Sequence, residues 1–270
     1  MSSLVQPDPF VELKNRQREM WASFAPAATL TTPVAGQLVK FAGIRPGERV
    51  LDIATGTGVV AITAARAGAQ VSALDLTPLL LEVARENAGV AGVSVEFTEG
   101  DAEHLPYPDG SFDVVLSQFG HMFAPRPDVA VSEMRRVLRP GGRVAFGTWP
   151  PEHFVGRFFA FVARNSPPPP PGAAPPPQWG IPAVVAERLA PHFGIPFFAR
   201  GVMTFPVLSP AHARVFLERS VGPMQKLADS LAGDPVKRAA LSGEFEAMAA
   251  EYIEDNVLRQ DYLLTRALAK

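Results

Sequence analysis

The stretch from Arg49 to Gly58 constrains the chain more than any other, because an apolar strand runs through an aspartate straight into a glycine-rich turn. Val50, Leu51 and Ile53 read as a parallel strand buried on both faces, and the run from Val59 to Ala67 reads as the helix that follows. Gly56 and Gly58 let the backbone turn tightly and approach a ligand where a Cβ would collide. A strand, glycine turn and helix in this order build an open α/β sheet with a nucleotide-type ligand at the strand's carboxyl end. Gly56 to Ala61 also fits the dinucleotide pattern G-x-G-x-x-G/A, so the glycines alone leave a nicotinamide enzyme open. Asp52 shifts the balance: a carboxylate at the strand end repels a pyrophosphate and attracts an ammonium group.

A second short strand, Gln70 to Leu76, carries Asp75 near its end. An ionised carboxylate only accepts hydrogen bonds, and a ribose diol offers two donors, so Asp75 fits adenosine binding without choosing between hydride and methyl transfer. Thr77 before Pro78 reads as the cap of the next helix. Farther on come Gly100-Asp101-Ala102-Glu103-His104-Leu105-Pro106 and the strand opening Phe112-Asp113-Val114-Val115. The run Glu133 to Leu138 reads as a helix, stopped at Arg139-Pro140-Gly141-Gly142, with a fifth strand from Arg143 to Thr148.

These four segments, in this order, resemble class I S-adenosylmethionine-dependent methyltransferases, whose first motif [VL]-L-D-x-[AG]-x-G-x-G is matched from Val50 to Gly58. Within them the broad likeness is to the ubiquinone/menaquinone-biosynthesis C-methyltransferases and their small-molecule relatives. The resemblance implies cofactor contacts from Asp52, Ala54, Thr55, Gly56 and Gly58 around the methionine moiety. It places Asp75 and Leu76 at the ribose, and Asp101 and Ala102 at the adenine. It also places Ser117 and Gln118 beneath the cofactor at the end of the fourth strand. The product of such chemistry is S-adenosylhomocysteine. His121, just past that strand, sits where several small-molecule methyltransferases present a histidine to the acceptor, and its ordinary pKa suits a general base.

The expected fold is a Rossmann-like α/β seven-stranded mixed sheet with helices on both faces and a helical substrate cap. We divide the chain into N-terminal lid helices (1–36), a cofactor-binding core (37–150), a proline-rich cap insert (151–197) and edge strands with a helical excursion (198–270). Phe10, Leu13, Gln17, Met20, Trp21 and Phe24 share one helical face ahead of Thr31-Thr32-Pro33, which gives a lid helix. The prolines between Asn165 and Pro182 exclude a helix or a central strand. Phe154, Phe158, Phe159 and Phe161 precede that loop, and Trp179 lies within it. Together with Trp21, Phe24 and Trp149 they suggest an aromatic substrate pocket for a flat apolar ligand. Downstream, Phe198 to Val207 reads as a strand, Pro210 to Ala232 and Pro235 to Glu254 as two helices, and Asn256 to Ala269 as the last strand.

The formal net charge of −2 gives no electrostatic footprint for nucleic acid. No cysteine is present, which removes disulfides, thiolate metal sites and a cysteine nucleophile. The histidines and carboxylates show no metal-binding spacing, so no metal is expected. No signal peptide or membrane span is apparent, and a cytoplasmic enzyme, with homodimer formation open, is the expectation. A small-molecule methyl acceptor is the expected partner. Two other readings stand beside it: an NAD(P)-dependent oxidoreductase, and a non-catalytic binding module that kept the cofactor fold.

Overall fold

The computed structural model describes residues 8–270; the first seven residues of the expected lid lie outside it. The strands are β1 (Arg49–Ile53), β2 (Gln70–Asp75), β3 (Val95–Glu99), β4 (Phe112–Gln118), β5 (Leu138–Thr148), β6 (Phe197–Pro206), β7 (Ile253–Glu254) and β8 (Val257–Leu268). They form one sheet in the order β3-β2-β1-β4-β5-β8-β6, and the two-residue β7 hangs off β8. The first five run parallel, whereas β8 lies antiparallel between β5 and β6. The expected seven-stranded mixed sheet is therefore present, with β7 as a small addition made by the hairpin entering β8.

The helices follow from local sequence. Among the described residues α1 (Val11–Trp21) and α2 (Ala25–Ala42) precede the sheet, and α3 (Val59–Arg66), α4 (Pro78–Val90) and α5 (Pro127–Val137) cross over between parallel strands. Gly43, left-handed at φ 67°, ends α2, and proline at the first turn opens α4 and α5. α2 runs through Pro33 and across residue 36, so the boundary expected between lid helices and core falls inside one helix. The single helix expected from Phe10 to Phe24 is instead α1, a short break, and the start of α2. The segments expected to form the cap hold α6 (Phe154–Arg164), α7 (Pro182–Leu189), α8 (Pro210–Ser220), α9 (Gly222–Ser230) and α10 (Pro235–Ala250). The helix expected over Pro210–Ala232 breaks at Val221, next to Gly222-Pro223. The proline-rich loop holds one 3₁₀ turn, Pro176–Gly180, which carries Trp179.

The core sits where the pattern demands. Val50, Leu51, Ile53, Val114, Val115, Leu116, Val144 and Ala145 have essentially no exposed surface, as expected for strands covered on both faces. The cap has its own apolar centre around Phe245, which is fully buried with the rings of Phe161, Phe154 and Phe158 at 5.9, 6.2 and 6.3 Å between centroids. Phe245→Ala leaves a void among three rings and is expected to cost about 3–5 kcal/mol, read as a lowered urea midpoint. A loss below about 1 kcal/mol would show that the cap does not depend on this cluster.

Candidate functional site

At the carboxyl end of β1 the chain turns sharply, and the turn is where function can be built. Ala54 is held at φ 54°, Gly56 at φ 56° and Gly58 at φ 83°. A left-handed alanine is strained and persists only where its surroundings over-determine it. The reason lies on the neighbouring strand: beyond β4, Phe119 is also left-handed at φ 62°, and Gly120 lies so close to Ala54 that a Cβ on Gly120 would collide with the Ala54 Cβ. The backbones leaving β1 and β4 thus almost touch, at the point where crossovers diverge to opposite sides of the sheet. Open α/β sheets bind ligands at that point.

A cavity opens there, enclosing about 1580 Å³ of space including its mouth. One end is polar and is built from the glycine turn, the end of β2 and the β3–β4 connection. The other is aromatic and is built from the lid and the cap.

Asp52 anchors the polar end. It is fully buried, and its Oδ2 accepts from the Thr55 hydroxyl at 2.6 Å and from the Ala61 amide at 3.1 Å, tying β1 to its turn and to α3. Its Oδ1 is buried with no hydrogen-bond partner among the described residues. Burial pushes its pKa up to about 7, with the nearby Asp75 adding to the rise. Asp75 accepts from the Gly56 amide at 2.7 Å and the Thr77 amide at 2.8 Å, and burial raises its pKa as well. The carboxylate therefore also holds the glycine turn in shape. Thr77 caps α4 through its backbone, without the side-chain bond expected of it.

Asp101 receives the Glu103 amide at 2.9 Å, and its second oxygen meets the Lys14 ammonium at 2.6 Å. Lys14 also reaches Asp8 and Glu103 at 2.6 Å each, so one nearly buried lysine on α1 sits among three carboxylates. Arg126 adds a second cation on Glu103 at 2.7 Å. The three acids lie close enough together to hold a cation, and the Lys14 ammonium occupies that place. These bonds raise the Lys14 pKa against the opposing effect of its burial. No sequence signal marks Lys14, because its partners on the β3–β4 side are distant along the chain.

Of the residues singled out from sequence, Asp52, Ala54, Thr55, Gly56, Asp75, Leu76, Asp101, Ala102 and Gln118 line the cavity, and so do Trp21, Phe24 and Trp149. Gly58 stands behind the wall, with Ala84 and Ile62 side chains 3.2 and 3.3 Å from where its Cβ would be. Ser117 is also behind it, donating to the Ile53 carbonyl at 2.7 Å and accepting from the His121 amide at 3.2 Å. Gln118 donates to the Thr31 carbonyl at 3.1 Å, while its Oε1 is buried without a partner.

His121 is not at the cavity. The 3₁₀ turn His121–Phe123 directs its ring inward, 4.5 Å from Phe146 and 4.7 Å from Trp179, with both ring nitrogens buried and without a hydrogen-bond partner among the described residues. Burial, with a smaller contribution from Arg188, pushes its pKa down to about 3, so it is neutral and out of reach of an acceptor. Trp179 is likewise off the cavity, fully buried, with the Arg188 guanidinium 4.8 Å over its ring. Phe154, Phe158 and Phe159 do form the expected aromatic wall, whereas Phe161 packs into the cap centre. No local pattern marks Phe123, Met203, Phe205, Phe216 and Gln260, which the fold brings in from four separate elements.

Lys14→Met is expected to leave three carboxylates without their shared cation and to cost about 3–5 kcal/mol. Hydrogen exchange should show α1 opening faster while β1 and β4 keep their protection, and unchanged exchange in α1 would contradict the role assigned to Lys14.

Comparison with known proteins agrees with this geometry. Residues 51–146 match the family model described as "Methyltransferase domain". An uncharacterised protein of Mycobacterium tuberculosis is 38% identical over 254 residues, covering 93% of both chains. A demethylmenaquinone methyltransferase of Deinococcus radiodurans is 40% identical over 174 residues, covering 55% of this chain and 72% of that one. Among solved structures, one from Bacillus halodurans assigned as a methyltransferase has 25% identity and a TM-score of 0.58, covering 87% of this chain and 97% of that one. The glycine turn, the two acids that follow it and the shared sequence lead to one conclusion: the chain belongs to the class I S-adenosylmethionine-dependent methyltransferases.

Proposed function

We propose that this methyltransferase acts on a small, flat, aromatic or conjugated metabolite in the cytoplasm. The observation that carries the reading is the continuity of the cavity, which joins a polar end suited to the cofactor to an aromatic end lined by Trp21, Phe24, Trp149, Phe154, Phe158 and Phe159. Bound S-adenosylmethionine supplies an activated methyl on a sulfonium, so catalysis rests on orientation and exclusion of water.

The residues present fit that cofactor. Asp52 Oδ1 and Gln118 Oε1 are buried acceptors without donors among the described residues, on side chains that line the cavity, and an ammonium group would satisfy them. In this reading Asp75 accepts the ribose hydroxyls, Asp101 the adenine amino group, and Ala102 lends its backbone amide to the ring. Gly56 leaves the turn open, with nothing within 4 Å of where a Cβ would stand. A nicotinamide enzyme is not favoured, because a buried carboxylate at the turn opposes a pyrophosphate.

Calorimetric titration with S-adenosylhomocysteine tests the reading, and stoichiometric binding is expected. Asp75→Ala should weaken that binding by about 2 kcal/mol, and unchanged affinity in the folded variant would remove Asp75 from the ribose site.

Asp52 generates a pH dependence. Its folded pKa of about 7 lies above the ordinary 3.8, so its contribution to the stability of the ligand-free protein is present at low pH. That contribution is lost as pH rises from about 4 through about 7. Binding an ammonium group requires the ionised form, so affinity for S-adenosylhomocysteine should fall by up to about tenfold per unit as pH drops below 7. Asp52→Asn should flatten that slope; an identical slope in the variant would assign it to another group.

A further inference from the structure

Among the described residues, the aromatic half of the cavity holds no side chain able to deprotonate a nucleophile. The titratable side chains on the cavity wall are Lys14, Asp52, Asp75 and Asp101, all at the polar end. Each is already engaged there: Lys14 with its carboxylates, Asp52 with Thr55 and Ala61, Asp75 with Gly56 and Thr77, and Asp101 with Lys14 and the Glu103 amide. The cap elements α6, β6, α8 and β8 contribute Phe154, Phe158, Met203, Phe205 and Phe216, and the polar side chain they give to the wall is Gln260. Gln260 is a buried residue in the middle of β8, paired in register with Met203 of β6. His121 lies behind the wall, neutral and enclosed by Phe146 and Trp179.

We infer that the acceptor enters this chamber already ionised, as a planar conjugated oxyanion of the acidic phenol or enol class, and that the Gln260 amide holds it. The inference rests on the methyltransferase reading and narrows its substrate class. An isolated anion is costly to place among aromatic side chains. Beside a sulfonium the cost is offset, because opposite charges attract strongly where water is excluded. Gln260 can donate two N–H groups to such an anion. The step balances without a proton: the nucleophile's electron pair forms the new bond to carbon, the carbon–sulfur bond breaks, and its pair stays on sulfur. A cation and an anion become two neutral molecules. A dry apolar chamber favours that charge annihilation, and it would hinder any route that leaves a new charge behind. A further consequence is order of binding, since the anion is accommodated only once the positive cofactor is in place.

4-Nitrophenol provides a probe, because its phenolate has a distinct visible absorption and its pKa lies close to neutrality. It is added near that pKa to protein saturated with sinefungin, an unreactive analogue with a positive ammonium at the sulfonium position, or with neutral S-adenosylhomocysteine. The expected result is an increase of the phenolate band and about tenfold tighter binding in the sinefungin form, with nitrobenzene binding equally to both. Gln260→Leu should reduce phenolate affinity about tenfold while S-adenosylhomocysteine uptake by calorimetry is unchanged. Gln260→Glu should abolish phenolate binding by repulsion, and the same calorimetry shows that both variants remain folded. Phenol bound in its neutral form, equal binding to the two cofactor forms, or binding to neither overturns the inference. Absence of S-adenosylhomocysteine uptake by the unaltered protein would instead overturn the methyltransferase reading beneath it.

Discussion

The close approach of the backbones leaving β1 and β4 is the constraint on which the site depends. It requires Gly120, where a Cβ would collide with Ala54, and it holds two non-glycine residues, Ala54 and Phe119, in left-handed conformations. Strain of this kind is of order 1–3 kcal/mol per residue and needs a surrounding network to sustain it. The network is visible: Asp52 ties the turn to α3, Asp75 ties Gly56 to the start of α4, and Ser117 ties β4 to β1. Phe119 in turn stacks on Trp149 at 3.7 Å between centroids, so the same strained backbone that shapes the polar end sets part of the aromatic end.

The two halves of the cavity divide the chemistry. The polar half concentrates buried carboxylates whose pKa values rise because they lack water, and a cationic ligand would restore their charge. The aromatic half provides shape and dryness. Displacement from a sulfonium asks for little more than alignment and desolvation, which explains how a chamber without a reachable histidine is adequate to the task. α1 joins these halves, since it places Lys14 against the acids of the β3–β4 connection and Trp21 against the ring of Phe123 at 4.9 Å.

Much of the fold was legible in the sequence because parallel strands and their glycine turns are local signals. Asp52 and Asp75 lie toward the carboxyl ends of two readable strands, Gly56 in the turn after the first and Asp101 in a readable motif, and the sheet places all four at one edge of the cavity. The aromatic wall was legible in part: Phe154, Phe158 and Phe159 share a helix, and their spacing announces a common face. What could not be read depends on tertiary approach. His121 and Gln118 are three residues apart, yet a single 3₁₀ turn sends one into the core and leaves the other on the cavity. Trp179 lies in a loop whose prolines forbid regular structure, and nothing local says that it packs inward. Gln260 sits in a strand of otherwise ordinary alternation, and its importance comes only from what β6, α6 and α8 place around it. Lys14 is inconspicuous on a polar helix until the β3–β4 connection folds against it.

The most direct test of the central claim is a crystal structure of the protein with S-adenosylhomocysteine. The account predicts the ligand along the carboxyl ends of β1 and β2, its amino group toward Asp52 and Gln118, its adenine toward Asp101, and its sulfur facing the aromatic chamber. A ligand bound elsewhere, or one whose sulfur faces away from Trp149 and Phe158, would contradict it.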